Sequence, residues 1–377
     1  MNRRLLSFFL IGVILFTFTG CDTKKSDDTF ITRTSYMLNT IVTINIYDST
    51  DESLLDGCLD LCRKYEELFS RTIDTSEIAR LNRGEITEVS EDTAELIEKG
   101  LFYGELTDGA FDISVHPVSS LWDFSSGSEN PSLPDPALLE TALKKVDYQK
   151  IGLQNQTVSF AVEGMGIELG AIAKGYIADR IKEYLTEHGV KSATINLGGN
   201  MLCVGTKPSG ALFRIGIQKP FADHSQVVGI VDIDDLSVVS SGIYERYITV
   251  DGKQYHHILN PSTGYPYDNG LVSVTIISPE SADGDALSTS CFCLGLEDGM
   301  KLVESQPDCY GIFIMSDGTI HYSEGLEEQF QIETDLPVYA SRTVSTLLPI
   351  PVSRASATVR AAMASTTTTA LGTITGS

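Results

Sequence analysis

Hydrophobic and polar residues alternate in one early segment of the chain and recur with a helical period in the segments that follow. From Thr40 to Tyr47 the sequence TIVTINIY alternates Val and Ile with polar residues, which predicts a strand with one buried face. Over residues 51–69 the apolar residues recur at helical spacing, which predicts an amphipathic helix. The same spacing predicts helices over about 75–82 and 91–107, and Ser90 is suited to cap the second of these.

The second half of the chain carries mostly strand patterns. The sequence ELGAIAKGY predicts the start of one more helix, which runs from Glu168 to His188 and ends at Gly189. Strands are predicted over residues 192–200, 212–218, 227–233, 246–250, 271–277 and 310–316. Helices and strands are interspersed without strict βαβ alternation, so an α+β fold is favoured over a doubly wound sheet. The Ser-, Gly- and Pro-rich segment 125–136 is predicted to be an exposed loop.

The N-terminal segment has the composition of an export signal. Residues 1–20 combine a short basic start with an apolar run that is too short for a membrane span. The segment ends in small residues before Cys21, which resembles the lipobox of bacterial lipoproteins, although Phe18 departs from the usual Leu or Val. We therefore expect a lipidated Cys21 and a protein anchored on the extracytoplasmic face of the cell membrane. An ordinary cleaved signal peptide is the alternative.

Composition divides the rest of the chain. Residues 21–33 are polar and charged, as expected of a tether, and residues 34–335 carry the patterns of a folded domain. Residues 336–377 are rich in Ser, Thr and Ala with few aromatic residues, so we expect a disordered tail.

Charge and cysteine content narrow the function. The formal net charge of −24 disfavours binding to nucleic acid or to anionic lipid, because phosphate groups repel such a chain. An anionic ligand must then be held by a local cation, a metal ion or backbone N–H groups. The six cysteines that follow Cys21 show no zinc-ligand spacing, and we interpret them as small buried core residues.

Two stretches suggest a site for an anionic ligand. Asp108 and Asp112 flank an aromatic residue in the sequence DGAFD. In ELGAIAKGY, the free N–H groups of a helix start and the side chain of Lys174 would together attract an anion. A capped helix with one lysine that extends into solvent is the alternative, and it is favoured when this stretch is taken alone.

Two further stretches carry acid–base and metal-binding residue types. In residues 255–266 a strand delivers His256 and His257 into a turn fixed by Pro and Gly, and only one of two adjacent histidines can face a given site. In ADGDALSTS, Asp285 and Thr289 share a face if Leu287 lies in a helix. Their oxygen atoms suit Mg²⁺ or Ca²⁺ better than zinc, but a third ligand is needed. N-capping by one of the two aspartates of this stretch is the alternative.

Taken together, these stretches resemble the ApbE family of FAD:protein FMN transferases. The resemblance covers about residues 35–335. It rests on seven patterns in the family's order, which are Met37-Leu38-Asn39-Thr40, DGAFDISVHP (108–117), ELGAIAKGY (168–176), NLGGN (196–200), SSGIYERY (240–247), HILNPSTGYP (257–266) and DALSTS (285–290). It implies an ApbE-like, T-fold-related fold of mixed sheets with packed helices, forming one catalytic unit of one or two lobes.

The resemblance also implies site residues. The positions that match the family's contacts with FAD are Met37, Thr72, Ala110, Phe111, Asp112, Glu168, Lys174, His257 and Ile258. The positions that match its Mg²⁺ site are the backbone carbonyl of Ala171 and the side chains of Asp285 and Thr289.

Three positions depart from the family pattern. The family often has Asp where Glu168 stands, and an aromatic residue where Thr72 stands. The dipeptide Leu38-Asn39 replaces the Gly of the common Met-Gly-Thr pattern. These departures affect the expected flavin contacts.

The activity implied by the resemblance is Mg²⁺-dependent transfer of FMN from FAD to a Thr or Ser of an acceptor protein, with release of AMP. The expected acceptor is a flavoprotein of an extracytoplasmic electron-transfer system, and His257 or Asp285 is the expected general base. The alternatives are an Mg²⁺-dependent FAD pyrophosphatase and a non-catalytic flavin-binding lipoprotein. Self-modification at Ser356-Ala357-Thr358 is a further alternative with little sequence support. The sequence leaves open whether the protein is a monomer or a homodimer.

Overall fold

The computed structural model describes residues 30–124, 131–223 and 225–341. The expected signal peptide, the lipidation site Cys21 and most of the C-terminal tail lie outside these residues, as does the first half of the loop predicted over 125–136. Within the described residues, no helix combines the length and the apolar composition needed to cross a bilayer.

The helices agree with the periodicity of the sequence in most places. Their bounds are α1 Ser53–Phe69, α2 Glu77–Asn82, α3 Glu91–Leu106, α4 His116–Ser119, α5 Pro136–Leu143, α6 Ala173–Glu187 and α7 Ser281–Glu304. The three N-terminal helices were predicted, and Ser90 caps α3 by accepting a hydrogen bond from the Thr93 N–H. Helix α7 contains Leu287, so Asp285 and Thr289 lie one turn apart on it.

Most of the strands form one large sheet. The strands are β1 Ile31–Met37, β2 Thr40–Ile46, β3 Ile151–Gln154, β4 Thr157–Phe160, β5 Ser192–Leu197, β6 Asn200–Gly205, β7 Phe213–Gln218, β8 Val227–Ile233, β9 Ser237–Gly242, β10 Tyr247–Val250, β11 Lys253–His256, β12 Leu271–Ser278, β13 Tyr310–Met315, β14 Ile320–Tyr322, β15 Phe330–Ile332 and β16 Val338–Ala340. The large sheet has the order β1-β2-β5-β6-β9-β12-β13-β14-β16. Its neighbours pair antiparallel except β14 and β16, which pair parallel.

Three hydrophobic cores hold the layers together. In the largest, the apolar faces of α1, α3, α6 and α7 pack with inward-facing residues of the large sheet. A second core joins the sheet to the three-stranded sheet β15-β8-β7, and a small third core surrounds Trp122. Helix α7 packs on β9 and β12 and also contacts α6. The first turns of these two helices are therefore brought together beside the sheet.

The predicted start of α6 was wrong. Glu168 was expected to begin this helix, but the helix begins at Ala173. The side-chain amide of Asn82 binds both the N–H and the carbonyl of Ile167, and the Glu168 N–H donates to the Ile113 carbonyl. These partners hold the chain in a non-helical conformation until Ile172, which the local sequence pattern does not show.

The folded region is slightly longer than composition suggested. Strand β1 begins at Ile31, within the expected tether, and β16 lies just beyond residue 335. Composition missed β1 because its sequence, ITRTSYM, is mostly polar, and pairing with β2 supplies its backbone partners. The six cysteines of the described residues are buried, as predicted, and all six are free.

Candidate active site

The side chain of Asp285 lies at the N-terminus of α6 and is almost fully buried, at 3% exposure. Its Oδ2 accepts a hydrogen bond from the Gly175 N–H at 3.0 Å, and its Oδ1 lies 3.3 Å from the Lys174 Nζ. Burial raises the pKa of this carboxyl group, while Lys174 and the helix N–H groups lower it. The sequence predicted an anion site at this helix start, and in the structure the carboxylate of Asp285 takes the anion's place.

A backbone carbonyl before the same helix start is available. Helix α6 begins at Ala173, so the N–H groups of its first turn have no helical acceptor, and that of Gly175 donates to Asp285. Ala171 lies before the helix, and its carbonyl takes no part in the helical hydrogen bonds. No donor among residues 30–124, 131–223 and 225–341 is hydrogen-bonded to the Ala171 carbonyl oxygen. An oxygen atom predicted to bind a cation is therefore without a competing partner in the described part of the chain.

Thr289 lies one turn along α7 from Asp285, as the sequence predicted. Its Oγ1 is 3.0 Å from the Oγ of Ser241, at the end of β9. Ser241 also lies 2.9 Å from the Oγ of Ser288, whose hydroxyl donates to the Asp285 carbonyl. Ser241 was not predicted as a site residue, although it lies in the quoted pattern SSGIYERY. This network fixes the rotation of α7 against the sheet.

The donor set fits a hard divalent cation. A carboxylate, a hydroxyl and a backbone carbonyl are the oxygen ligands that Mg²⁺ and Ca²⁺ accept. The described residues contain no group of three or more His, Cys, Asp and Glu side chains that could hold a metal ion. A cation here would therefore need the carbonyl and hydroxyl oxygens in addition to Asp285.

The two adjacent histidines face different surroundings. His256 is buried at the end of β11, where its Nε2 lies 2.8 Å from the Tyr267 carbonyl oxygen. His257 is half-buried, and its Nδ1–H donates to the Arg246 carbonyl at 3.1 Å, which leaves Nε2 as the acceptor. Burial, and then Arg246, lower the pKa of His257 to about 3. Its ring is therefore neutral at physiological pH.

Comparison with known proteins identifies the family. A sequence model of the ApbE family matches residues 38–313. The chain belongs to the ApbE family. It is 37% identical over 295 residues to an FAD:protein FMN transferase of Klebsiella pneumoniae, covering 77% of this chain and 90% of that protein. It is 33% identical over 322 residues to an FAD:protein FMN transferase of Treponema pallidum, covering 80% and 88%.

Solved structures support the same assignment. The ApbE protein of Thermotoga maritima superposes with a TM-score of 0.73 and 32% identity, over 80% of this chain and 99% of that one. The flavin transferase ApbE of Vibrio cholerae superposes with a TM-score of 0.71 and 25% identity, over 80% and 99%. The family, the α+β ApbE-like fold and the enzyme class predicted from the sequence, a transferase, are thereby confirmed.

Several residues that the sequence predicts to contact FAD are held by hydrogen bonds and packing within the protein. The Ala110 carbonyl accepts a hydrogen bond from the Tyr267 hydroxyl at 2.9 Å, which joins the turn 108–112 to the segment that follows His257. Phe111 is buried against Tyr103. Both carboxylate oxygens of Asp112 bind backbone N–H groups, and burial raises its pKa. The structure thus brings the two predicted segments together.

The other residues predicted to contact FAD lie at separate places in the fold. Glu168 binds Arg71 at 3.1 Å and the Ser119 hydroxyl, while the neighbouring Thr72 is exposed. Met37 and Ile258 are buried members of the main core. Leu38 and Asn39 replace the Gly of the family's common Met-Gly-Thr pattern. Both adopt positive φ angles, of 55° and 56°, in the turn between β1 and β2. Glycine occupies such a conformation more readily.

Three other polar residues of ADGDALSTS are buried, namely Asp283, Ser288 and Ser290. Asp283 forms an ion pair with Lys99 and accepts a hydrogen bond from the Tyr103 hydroxyl. N-capping by Asp285 was the alternative to a metal site. Asp285 does cap a helix, but the helix is α6 and not α7, on which Asp285 lies.

One charged residue near the site was missed. Glu245 lies in the turn after β9, and its side chain reaches solvent. The surrounding protein nevertheless desolvates it and raises its pKa to about 7, with a smaller contribution from Asp285, while Lys174 and Arg246 oppose the rise. The pattern SSGIYERY contains Glu245, but nothing in that pattern showed its proximity to the Lys174–Asp285 pair.

Proposed function

We propose that this ApbE-family protein transfers FMN from FAD to a Thr or Ser hydroxyl of an acceptor protein, in a Mg²⁺-dependent reaction that releases AMP. The observation that carries the proposal is that Asp285, one turn from Thr289 on α7, binds Lys174 and the Gly175 N–H at the start of α6, which Ala171 closely precedes. The FAD:protein FMN transferases of Klebsiella pneumoniae and Treponema pallidum support the assignment of substrate.

The reaction exchanges a phosphoanhydride bond for a phosphoester bond. The acceptor hydroxyl oxygen forms a bond to the FMN-side phosphorus, and the bond from that phosphorus to the bridging oxygen breaks. AMP leaves with the bond electrons, and the hydroxyl proton passes to a base. A bound Mg²⁺ supplies charge neutralisation on the pyrophosphate. Lys174 is placed to bind phosphate oxygens once a cation shares the carboxylate of Asp285.

His257 and Asp285 remain the candidates for the base. The Nε2 of His257 has a free lone pair when Nδ1–H donates to Arg246, but the low pKa of this ring makes it a weak proton acceptor. Asp285 is the stronger base of the two, since burial raises its pKa, yet its oxygens already bind Gly175 and Lys174. Binding of the doubly charged pyrophosphate near Lys174 would raise the pKa of His257, because an anion stabilises the imidazolium form.

The cellular setting is proposed from the sequence. A lipid on Cys21 would hold the enzyme at the extracytoplasmic face of the cell membrane, with residues 22–29 as the polar spacer. The acceptor would then be a flavoprotein of an extracytoplasmic electron-transfer system.

The direct test is transfer in vitro. The mature protein is incubated with FAD, MgCl₂ and a peptide that carries the acceptor hydroxyl. We expect the peptide to gain the mass of an FMN group, with one AMP released per transfer. Asp285→Ala should abolish the product, and Glu187→Gln, on the exposed end of α6, serves as the control. Absence of a flavinylated peptide with the wild-type protein, or full labelling by Asp285→Ala, contradicts the proposal.

The second candidate is an FAD pyrophosphatase, in which water replaces the acceptor hydroxyl. It is favoured by the exposed Thr72, which stands where an aromatic residue often covers the flavin in the family. Free FMN that forms without acceptor would support it. A non-catalytic flavin carrier would leave FAD intact and bind it equally well after Mg²⁺ removal. Flavin mass on the intact chain would indicate self-modification.

A further inference from the structure

Helix α7 is capped by a side chain from another helix. The residue before its first turn, Glu280, makes no side-chain cap. Asp179 of α6 accepts the first two N–H groups instead, with Oδ1 2.8 Å from the Ser281 nitrogen and Oδ2 2.8 Å from the Ala282 nitrogen. Free N–H groups of a first helical turn need such an acceptor when they are buried.

The capping is reciprocal. Asp285 of α7 accepts the Gly175 N–H at the start of α6, and Asp179 of α6 accepts two N–H groups at the start of α7. Gly175 lies between the two contacts, where an added Cβ would be 2.2 Å from the Ser281 carbonyl oxygen. Since each helix supplies the cap of the other, neither can rotate or slide without breaking both caps.

The surroundings of Asp179 leave it no direct part in ligand binding. It is partly buried, and the charged groups that face it are Lys99 of α3 and Glu280. Lys99 is held by Asp283 and Glu280, and the Ser281 hydroxyl donates to the Asn200 side chain. Burial raises the pKa of Asp179 to about 7, and its two N–H donors oppose the rise. Its oxygens point at the backbone of α7 and contact none of the three cation ligands.

We propose that Asp179 is a positioning residue for the cation site: by capping α7 it sets Asp285 and Thr289 against the Ala171 carbonyl of the α6 start. The proposal rests on the cation site of the proposed function. Outer-shell residues that orient metal ligands commonly contribute about 10-fold to 100-fold in metal affinity.

The first test uses the wild-type protein and no metal. Backbone amides of a first helical turn normally exchange with solvent quickly, because they lack intrahelical partners. We expect the Ser281 and Ala282 amides to exchange as slowly as amides in the middle of α7, measured by hydrogen exchange resolved to single residues. Exchange of both amides at the rate of an exposed loop would overturn the proposal, whatever the activity of the enzyme.

The second test uses Asp179→Asn. The amide nitrogen cannot accept a hydrogen bond, so one N–H of α7 loses its partner while the side chain keeps its size. Calorimetric titration of the FAD-free protein with MgCl₂ should show a dissociation constant raised about tenfold. The kcat of transfer at saturating Mg²⁺ should change less than about twofold, since no reacting group is altered. Glu187→Gln on the same helix should match the wild type in both measurements.

The outcomes separate this proposal from the proposed function. Unchanged Mg²⁺ affinity in Asp179→Asn, beside a wild type that binds Mg²⁺ and transfers FMN, overturns the positioning role alone. A wild type that binds no Mg²⁺ contradicts the cation site, and the exchange of the Ser281 and Ala282 amides then decides whether Asp179 holds α7.

Discussion

At the scale of single residues, burial of the Asp285 carboxylate would be energetically unfavourable without a compensating partner. Several groups of the site together provide that compensation. Asp285 has one helix start, one lysine and, by proposal, a cation to offset its burial. Removal of its charge should therefore affect activity far more than folding.

We expect Asp285→Asn to lower FMN transfer by more than about 100-fold through loss of a charged cation ligand. The free energy of unfolding should change by less than about 2 kcal/mol, because the amide oxygen still accepts the Gly175 N–H and the Lys174 side chain, 25% exposed, reaches water. Transfer kinetics and urea denaturation measure the two effects. A large loss of stability would show that the carboxylate serves mainly to hold the fold.

The charge of Glu245 predicts a pH dependence. Its pKa of about 7 makes it largely neutral at pH 6 and ionised at pH 8. Ionisation places a second negative charge near Asp285, so Mg²⁺ affinity of the wild type should increase over this interval. In Glu245→Gln the increase should be shallower, as measured by Mg²⁺ titrations at pH 6, 7 and 8. Parallel profiles of the two proteins would show that Glu245 does not act on the cation site.

At the scale of elements, the close approach of α6 and α7 depends on a residue without a side chain. The Cβ of Gly175→Ala would meet the Ser281 carbonyl and the Ala282 Cα, which are backbone atoms that cannot turn aside. We expect a loss of about 1–3 kcal/mol in the free energy of unfolding, as for other overpacked contacts. Gly170→Ala is the matched control, because its nearest new neighbour is the Glu168 carboxylate at 3.6 Å. Equal midpoints in urea for both variants would contradict the prediction.

Helices and strands were predicted well where the sequence pattern of the segment itself determines them. They were predicted poorly where contacts with a distant segment determine them. The period of residues 51–69 sufficed for α1, since one apolar face must be buried. The start of α6 was misplaced by five residues, because Asn82 and Ile113 hold the preceding backbone from outside. Strand β1 was missed because it is stabilised by pairing with β2 and has a polar sequence.

At the scale of the whole molecule, net charge and the N-terminal segment make a joint prediction. A chain with a net charge of −24 has no electrostatic attraction to anionic lipid, so a lipid on Cys21 would be its membrane attachment. When residues 1–21 are replaced by a signal peptide without a lipobox cysteine, we expect the protein in the soluble extracytoplasmic fraction. The wild type should stay with the membranes in high salt. Membrane retention of the replaced form would point to another attachment.

Sequence patterns were enough to predict the family, most of the helices, about half of the strands, and the pairing of Asp285 with Thr289 on one helix face. These features depend on neighbouring residues, whose spacing dictates which side chains share a face. Which residues bind one another in the site depends on the tertiary structure. Lys174 and Asp285 are 111 residues apart, and only the packing of α6 on α7 brings this carboxylate to the Lys174 side chain and the Gly175 N–H. The cap from Asp179 and the raised pKa of Glu245 arise in the same way, because hydrogen bonding and desolvation depend on which distant segments enclose a group.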